Sequence, residues 1–311
     1  MSALICGSIA FDSVMVFQGR FRDHILPDRI HLLNVSFLVP SLRRNYGGCA
    51  GNIAYNLALL GGQGAPMATV GHDFAPYADW LRERAVDLAH VRTVEHEFTA
   101  QAFITTDLDD NQITAFHPGA MSHSHLNRVP DGAGITLGIV APDGRDGMVQ
   151  HAAQFAAAGI PLLFDPGQGL PMFGGQELLD FIGKSSWIAV NDYEGQLLAE
   201  RTGLSLREVA RRVRALIVTR GAEGSVIHAE GREIVVPAVR PEAIVDPTGC
   251  GDAYRAGLIF GLQNGLDWET TGRLAALMGA LKIASRGGQN HVHTRDEIVN
   301  RYHEQFGTPL E

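Results

Sequence analysis

The sequence contains, at residues 246–257, the segment Asp246-Pro247-Thr248-Gly249-Cys250-Gly251-Asp252-Ala253-Tyr254-Arg255-Ala256-Gly257. Residues 232–245 before it alternate apolar and polar side chains and predict strands, whereas residues 253–264 carry apolar side chains at helical spacing. The glycines therefore lie where a strand passes into a helix. Because glycine has no Cβ and a helix start carries about half a positive charge, this turn is predicted to bind an anion, most often phosphate.

Asp252 distinguishes this segment from a simple phosphate-binding turn. A carboxylate there would repel a bound phosphate, so a site that only binds would not place it there. A base that takes the proton of a hydroxyl attacking a phosphoryl group would lie at this position. The alternative is structural, because Asp often caps free N–H groups in the first turn of a helix. Taken alone, Gly-x-Gly-Asp at a helix start is more often structural, so the catalytic hypothesis depends on the rest of the chain.

Three other motifs do not fit the chain. A dinucleotide fingerprint would need Gly or Ala at position 254, which is Tyr254. A Walker loop ending in Gly183-Lys184-Ser185 would need a glycine at position 178, which is Leu178. Cys250 at a helix start is a candidate nucleophile with a lowered pKa, but no His lies near it in the sequence.

The composition argues against several classes of protein. The chain has 311 residues, of which 45% are hydrophobic and 19% charged, as expected for one large α/β domain. Its net charge is −9 and it has no basic block, which argues against a nucleic-acid partner. The 3 separated cysteines form no Cys-x-x-Cys motif, which fits a reducing cytoplasm. No leader-like segment and no apolar run of membrane-spanning length is found, so we expect no signal peptide and no membrane partner.

The histidines do not predict a metal centre. The pairs His123-x-His125 and His291-x-His293 lie in polar, loop-like contexts without helical i, i+4 spacing. They are interpreted as surface or loop residues.

Strands and helices alternate from residue 135 onward, which predicts a doubly wound, mainly parallel sheet with helices on both faces. Several predicted strands end in polar or glycine-rich turns. Because the carboxyl ends of parallel strands meet at one edge of a sheet, we expect these turns to lie together, and this convergence indicates an enzyme. The turns contain Asp12, Asp165, Asn191 with Glu194, Thr219 with Gly221 and Gly224, and Asp252.

A second glycine-rich start of a helix occurs within residues 47–62. It contains Asn52, whose amide offers both a donor and an acceptor to a ligand hydroxyl. Close packing of the helix on the sheet explains the glycines equally well.

Segments 13–46 and 97–120 are predicted to form a small sheet that covers the site as a lid on a single domain, residues 1–311. Residues 14–17, 31–39, 100–106 and 112–117 are strand-like, and Asp107-Leu108-Asp109-Asp110-Asn111 predicts a hairpin turn. Phe103 and Phe116 are candidates to stack on a flat ligand; alternatively they form the core of the lid.

Four motifs occur in the order found in the ribokinase-like (PfkB) carbohydrate and nucleoside kinases. They are the glycine-rich helix start with Asn52, Asn191-x-x-Glu194, Thr219-x-Gly221-x-x-Gly224 and the segment 246–257. The chain resembles this family over most of its length. Within the family it resembles broad-specificity prokaryotic nucleoside kinases and bacterial adenosine kinases. Three segments favour that subgroup over sugar kinases: Asp165-Pro166-Gly167-Gln168, Asp110-Asn111-Gln112-Ile113-Thr114 and Tyr254-Arg255-Ala256-Gly257.

The resemblance implies an ATP-dependent nucleoside 5′-kinase with Asp252 as the base for the ribose 5′-hydroxyl. The backbone N–H groups of Gly249, Cys250 and Gly251 would stabilise the γ-phosphate, and Mg²⁺ would be ordered, mainly through water, by Asn191 and Glu194. The other implied residues are Asp12, Gly48 and Asn52 for the ribose; Phe103, Phe116 and Met121 for the base; Gln112 and Asp165 for the substrate; Thr219, Gly221, Gly224 and Asn290, with Asn191, for the donor nucleotide; and Asp246 and Thr248 for a monovalent cation such as K⁺.

Cys250 departs from the family pattern, which usually has Ala at this position. Because the turn would bind through backbone N–H groups, a small thiol should be tolerated and could make the activity sensitive to oxidation. Two alternatives remain open, a kinase for ribose or a hexose and a catalytically silent sensor of nucleoside or ATP. The expected oligomeric state is a monomer or a homodimer.

Overall fold

The structure is a computed structural model that describes residues 2–25, 34–109, 111–132 and 134–310. Within these residues the chain forms thirteen strands and nine α-helices. The strands are β1 (Ser2–Cys6), β2 (Ala10–Val16), β3 (Leu42–Gly47), β4 (Gly64–Gly71), β5 (Val91–Val94), β6 (Ala100–Thr106), β7 (Gln112–His117), β8 (Ile135–Val140), β9 (Leu162–Phe164), β10 (Trp187–Asn191), β11 (Ala215–Thr219), β12 (Ser225–Ala229) and β13 (Arg232–Val236). The helices are α1 (Cys49–Leu59), α2 (Ala75–Arg82), α3 (Arg145–Ala157), α4 (Gly175–Lys184), α5 (Asp192–Thr202), α6 (Leu206–Ala210), α7 (Cys250–Asn264), α8 (Trp268–Ile283) and α9 (Arg295–Phe306).

The main sheet has the strand order β13-β12-β11-β10-β9-β8-β1-β4-β5. All neighbouring strands from β11 to β5 are parallel, whereas the pairs β11–β12 and β12–β13 at the other side of the sheet are antiparallel. The parallel strands therefore direct their carboxyl ends to one edge of the sheet, the edge at which ligands bind in folds of this type. The predicted doubly wound, mainly parallel sheet is confirmed.

Helices cover both faces of the main sheet. In β1, Ala3 and Ile5 belong to the core that contains side chains of α1, α2, α7, α8 and α9. Leu4 and Cys6 point to the opposite core, which contains side chains of α3, α4, α5 and α6. Burying one large apolar side chain contributes about 1.5–3 kcal/mol. Strands buried on both faces need residues without polar side chains at every buried position, which explains the runs 3–6 in β1, 137–140 in β8 and 215–218 in β11.

A separate small sheet has the order β3-β2-β6-β7. Strands β2 and β6 are parallel, and the outer pairs are antiparallel. Asp12 of β2 pairs with Asn45 and Ala102, and Ala102 pairs with Phe116. Residues in one cross-strand row point to the same face of a sheet, so these four residues share a face. The predicted small sheet exists, and its action as a lid remains a prediction.

The structure corrects three predictions about strands. The first strand ends at Cys6, and Asp12 lies inside β2 of the small sheet rather than at the end of β1. Of the predicted strand 31–39, residues 34–39 form no strand and residues 31–33 lie outside the described residues. The strand is instead β3, whose polar run Arg43-Arg44-Asn45 gave no alternating pattern. Strand structure was predicted up to residue 245, but β13 ends at Val236 and residues 237–245 form no strand. Asp110 of the predicted hairpin turn also lies outside the described residues.

Two exclusions made from the sequence can be compared with the fold. Gly183 and Lys184 lie in the last turn of α4, so they form no phosphate-binding loop. Among the helices of the described residues, none combines the length and the apolar character that crossing a membrane would need.

Candidate active site

A cavity of about 510 Å³ lies between the small sheet and the carboxyl edge of the main sheet. Pockets for small organic ligands typically measure about 300–1,000 Å³, so the cavity suits a ligand of nucleoside size. Its lining comes from the small sheet, the starts of α1 and α7, and the turns that follow β8 and β9. The lining residues are Ser8, Ala10, Asp12, Val14, Asn45, Gly48, Cys49, Asn52, Ala102, Ile104, Thr114, Phe116, Met121, Pro142, Asp143, Gln168, Gly169, Met172, Asp246, Thr248, Gly249, Asp252 and Gly287.

Asp252 lies in the first turn of α7 and faces this cavity. Its Oδ2 accepts a hydrogen bond of 2.8 Å from Asn52 Nδ2. Burial raises the pKa of Asp252 to about 6, and the hydrogen bond from Asn52 acts in the opposite direction. The carboxylate is therefore ionised at neutral pH, and its pKa is close enough to neutral pH for it to accept a proton.

The start of α7 leaves backbone N–H groups available for an anion. Its N-cap residue is Gly249, which has a φ of 79° and no side chain to cap the helix. Among the described residues, the N–H groups of Gly251 and Asp252 have no hydrogen-bond acceptor. The N–H of Cys250 was predicted to be available to the γ-phosphate, but it donates to the Pro247 carbonyl oxygen over 3.1 Å. Burial also raises the pKa of the Cys250 thiol to about 11, which argues against a thiolate nucleophile.

Asn52 connects the two glycine-rich helix starts. Its Nδ2 donates to Asp252, while its Oδ1 accepts a hydrogen bond of 3.0 Å from Gln289 Nε2. The N-cap of α1 is Gly48, with a φ of 85°, and a Cβ there would lie 2.6 Å from both the Ser8 carbonyl oxygen and the Ala10 nitrogen. Glycine is therefore required at this position, and it places α1 directly against the connection between β1 and β2.

Asp12 and Asn45 form a polar wall opposite Asp252 on the small sheet. A Cβ at Gly47 would lie 2.6 Å from Asp12 Oδ2, so the glycine leaves room for this carboxylate. Burial, and then the charge of Asp246, raise the pKa of Asp12 to about 6. Carboxylate and amide groups on one wall suit a ligand with neighbouring hydroxyl groups.

The apolar side of the cavity contains Phe116 and Met121, and their contact with a base remains a prediction. Phe116 is 52% exposed, so an aromatic face is available to a ligand. Phe103 requires a correction, because it pairs with Ser13 and Ala115 and therefore lies on the opposite face of the small sheet. Gln112 shares the face of Phe116 but pairs with Thr106 at the far end of the sheet and does not line the cavity.

Asp165 also requires a correction as a substrate contact. It forms an ion pair of 2.9 Å with Arg255 of α7, and both side chains are about 5% exposed. Arg255 donates a further hydrogen bond to the Ala189 carbonyl oxygen. The guanidinium lowers the pKa of Asp252 while Asp165 raises it, so the pair contributes to the charge balance around the candidate base. Arg255 was missed in this role because its sequence position in a helix does not reveal its partner.

This geometry can be compared with known proteins. Residues 10–295 match the family described as pfkB family carbohydrate kinase. The chain belongs to the pfkB family.

Individual nucleoside kinases are similar to this chain over most of their length. A nucleoside kinase of Methanocaldococcus jannaschii is 32% identical over 270 residues, which cover 86% of this chain and 89% of the relative. The structure of Burkholderia thailandensis nucleoside kinase in complex with inosine is 53% identical, covers 99% of both chains and has a TM-score of 0.89. The same enzyme in complex with ADP-inosine is 54% identical, covers 99% of this chain and 97% of the other, and has a TM-score of 0.88. The resemblance and the ribokinase-like fold predicted from the sequence are confirmed.

The residues expected to contact the donor nucleotide in this pfkB-family chain lie outside the cavity. Asn191 and Thr219 pair in register at the carboxyl ends of β10 and β11. Gly221 and Gly224 follow in the next turn with φ angles of 53° and 86°. A Cβ at Gly224 would collide with the Val236 carbonyl oxygen, so this glycine has a structural role whatever it binds. Their contact with a donor nucleotide remains a prediction.

Asn191 and Glu194 form a reciprocal capping box at the start of α5. Asn191 Oδ1 accepts from the Glu194 N–H over 2.7 Å, while the backbone N–H and Nδ2 of Asn191 donate to the two Glu194 carboxylate oxygens over 2.8 and 2.9 Å. These bonds stabilise the helix start on their own. Burial raises the pKa of Glu194. A carboxylate is a hard oxygen ligand, and its remaining lone pairs fit contact with Mg²⁺ through water.

Asp246 and Thr248 line the cavity near the start of α7. The two carboxylate oxygens of Asp246 accept hydrogen bonds from the N–H groups of Thr248, at 2.9 Å, and Gly287, at 2.8 Å. The Asp246 carbonyl oxygen accepts a hydrogen bond of 2.7 Å from Lys282 Nζ. Asn290 Nδ2 donates to Asn45 Oδ1 over 3.4 Å, which places Asn290 at the rim of the cavity formed by the small sheet.

Sequence reasoning missed Asp143, a buried carboxyl group in the cavity wall. Its Oδ1 accepts from the Gly144 N–H, whereas its Oδ2 has no partner among the described residues. Burial raises the pKa of Asp143 to about 8, so the carboxyl group carries a proton at neutral pH and can act as a donor. The turn after β8, Ala141-Pro142-Asp143-Gly144, has the Asp-Gly pair of an ordinary turn, so the sequence did not mark Asp143 as part of the site.

Two other features lie away from the cavity. A groove of about 870 Å³ opens at the amino ends of β10 and β11, and its lining includes Trp187 and Arg214. In the described part of the chain, one group of side chains has the spacing of a metal site, His96, Glu97 and His123, with ligand atoms within 4.8 Å of one another. His291 lies in the loop between α8 and α9, as one of the two predicted alternatives has it, but it is buried, with 2% of its surface exposed.

Proposed function

We propose that this protein is an ATP-dependent kinase that transfers the γ-phosphate of ATP to the 5′-hydroxyl of a nucleoside. The observation that carries the proposal is the Asp252 carboxylate, which faces a cavity of nucleoside size at an uncapped helix start. Nucleoside kinases among the relatives, one of which has structures in complex with inosine and with ADP-inosine, support this choice of substrates.

Asp252 serves as the general base in this proposal. A primary alcohol is a weak acid, so the 5′-hydroxyl proton moves to the carboxylate as the oxygen forms its bond to the γ-phosphorus. The bond between the γ-phosphorus and the β–γ bridging oxygen breaks at the same time, and ADP leaves with that oxygen. The hydrogen bond from Asn52 fixes the orientation of the carboxylate.

The start of α7 stabilises the charge of the transferred group. The free N–H groups of Gly251 and Asp252 point out of the helix start, and a helix dipole adds about half a positive charge there. Donors that are fixed before the reaction stabilise developing charge without reorganisation. Glu194, with Asn191, would hold Mg²⁺ through water, and the ion would neutralise phosphate charge when bound.

The nucleoside is bound between two chemically different walls. Asp12, Asn45 and Gly48 lie on the polar wall, where hydroxyl groups of ribose find acceptors and donors. Phe116 and Met121 lie on the apolar wall and contact the base. The small sheet that carries Asp12 and Phe116 acts as the lid and excludes water, which would otherwise accept the phosphoryl group.

The proposal is tested by measuring ADP release with adenosine, inosine, guanosine, cytidine, ribose and fructose 6-phosphate as acceptors. We expect the highest kcat/KM with a nucleoside, and the product should be its 5′-monophosphate by phosphorus NMR. Turnover of ribose or fructose 6-phosphate with no turnover of any nucleoside would favour the sugar kinase. Nucleoside binding without ADP release under any acceptor would favour the sensor.

A further inference from the structure

Lys282 is one of two lysines in the chain, and it is completely buried. Lysine is almost never fully buried unless its charge is paired. Here the ammonium group lies in the last turn of α8 and donates to the carbonyl oxygens of Asp246, over 2.7 Å, and Ser285, over 3.0 Å. Both acceptors are backbone atoms, so the chain uses a full positive charge to hold two loops.

These two loops support the start of α7. Segment 246–249 leads directly into the helix, and segment 285–288 packs beside it. A Cβ at Gly249 would lie 3.1 Å from the Gly288 Cα, so the loops are in close contact. The Asp246 carboxylate joins the same loops through the N–H groups of Thr248 and Gly287. The ammonium and the carboxylate together therefore fix the geometry of the N–H groups that receive the phosphoryl charge.

The residues present do not fit a bound monovalent cation at this place. A cation such as K⁺ binds to carbonyl and carboxylate oxygens. The Asp246 and Ser285 carbonyl oxygens already accept from Lys282, and both oxygens of the Asp246 carboxylate already accept from backbone N–H groups. An added cation would also meet the positive charge of Lys282. The expectation that Asp246 and Thr248 bind K⁺ is therefore not supported by the geometry.

We propose that the Lys282 ammonium replaces a monovalent cation, so that phosphoryl transfer by this protein requires no added K⁺. Lys282 is a positioning residue in this inference, since it acts through the loops at the start of α7 and not on the reacting atoms. The inference rests on the proposed kinase function for its activity readout but not for its stability readout.

The test compares the wild-type protein with Lys282→Met in potassium chloride and in tetramethylammonium chloride at equal ionic strength. Wild-type kcat should be the same in both salts. Lys282→Met removes the charge but keeps a side chain of similar length, and its kcat should fall by about 10²-fold in tetramethylammonium, the scale of a misplaced reactive geometry. Potassium should restore most of that loss, because the freed carbonyl oxygens can then bind it.

A matched control is Lys184→Met, which removes the other lysine from the last turn of α4, where the side chain is outside the core. It should behave as the wild type in both salts. The melting temperature without substrates gives a second readout, and potassium should raise it for Lys282→Met alone. If wild-type kcat depends strongly on potassium, or if potassium changes neither kcat nor the melting temperature of Lys282→Met, the inference is overturned. An inactive wild type in both salts would refute the kinase, and the melting temperatures would still test Lys282.

Discussion

Replacing Asp252 by Asn separates proton transfer from every other role of this position. The amide has the same shape as the carboxylate and can still accept from the Asn52 amide, which donates to Asp252 over 2.8 Å in the wild type. It cannot take a proton from an alcohol near neutral pH. Loss of a general base typically lowers the rate by about 10²–10⁴-fold. At about 1.36 kcal/mol for each factor of ten, the transition state loses about 3–5 kcal/mol of stabilisation.

The pH dependence gives a second, independent signature of the same residue. Burial raises the pKa of Asp252 to about 6, so its basic form is lost as the pH falls through that value. Wild-type kcat/KM should therefore be constant above pH 7 and fall below pH 6. Asp12 has a similar pKa, so Asp12→Asn is the matched control. Asp12→Asn should weaken nucleoside binding, but its kcat should still decrease below pH 6. In Asp252→Asn this decrease at low pH should be absent from the residual activity.

Three measurements decide the outcome: ADP release, nucleoside affinity by calorimetry and the melting temperature. Nucleoside affinity should change little in Asp252→Asn. Above pH 6, the melting temperature of Asp252→Asn should not be lower than that of the wild type. The pKa of Asp252 is raised in the folded state, so its ionised form disfavours folding in that pH range. A kcat loss of less than about tenfold would refute the base assignment, since general bases contribute at least about 10²-fold. An acidic fall that persists in Asp252→Asn would refute it as well.

Three further predictions follow from the contacts around the cavity. Arg255→Gln leaves the buried Asp165 carboxylate without its cation and should cost about 3–5 kcal/mol in urea unfolding, and a loss below about 1 kcal/mol would contradict the pairing. Phe116→Ala should weaken nucleoside binding by about 1–3 kcal/mol, measured by calorimetry, and Phe103→Ala should not; equal effects would contradict the assigned faces. Burial raises the pKa of Asp143 in the folded state to about 8, so its contribution to stability is lost as the pH rises from 4 to 8. The melting temperature of Asp143→Asn should lack this loss. If the melting temperatures of the wild type and Asp143→Asn change in parallel with pH, the prediction is wrong.

The main sheet and the helix starts were predictable because long, regular patterns encode them. Residues 253–264 repeat apolar side chains at helical spacing, and α7 runs over Cys250–Asn264. The glycines at 48 and 249 were predictable as backbone requirements, and both have positive φ angles as N-cap residues. The structure brings Asp12, Asn52 and Asp252 into one cavity, but Asp12 reaches it from β2 of the small sheet and not from the end of a strand in the main sheet, as the convergence of strand ends had suggested.

Side-chain direction in the small sheet could not be read from the sequence. Phe103 and Phe116 are both aromatic residues on neighbouring strands, and only the register Ala102 to Phe116 shows that one faces the cavity and the other does not. A shift of one residue in register exchanges the two faces of a strand, so composition alone cannot choose between them. The partners of Asp165 and Lys282 were equally hidden, because they are separated by many residues in the chain.

Fixed positive charge explains how a cavity with this many carboxyl groups can accept a phosphate donor. Ionised Asp12 and Asp252 would repel the γ-phosphate, and a helix start supplies only about half a positive charge against them. Asp143 avoids adding to the repulsion because burial holds its pKa at about 8 and keeps it protonated. Arg255 and Lys282 are buried near the candidate base and bring positive charge to its surroundings, although burial lowers the pKa of Lys282. Phosphate affinity at this site therefore depends on side chains that the ligand itself does not need to touch.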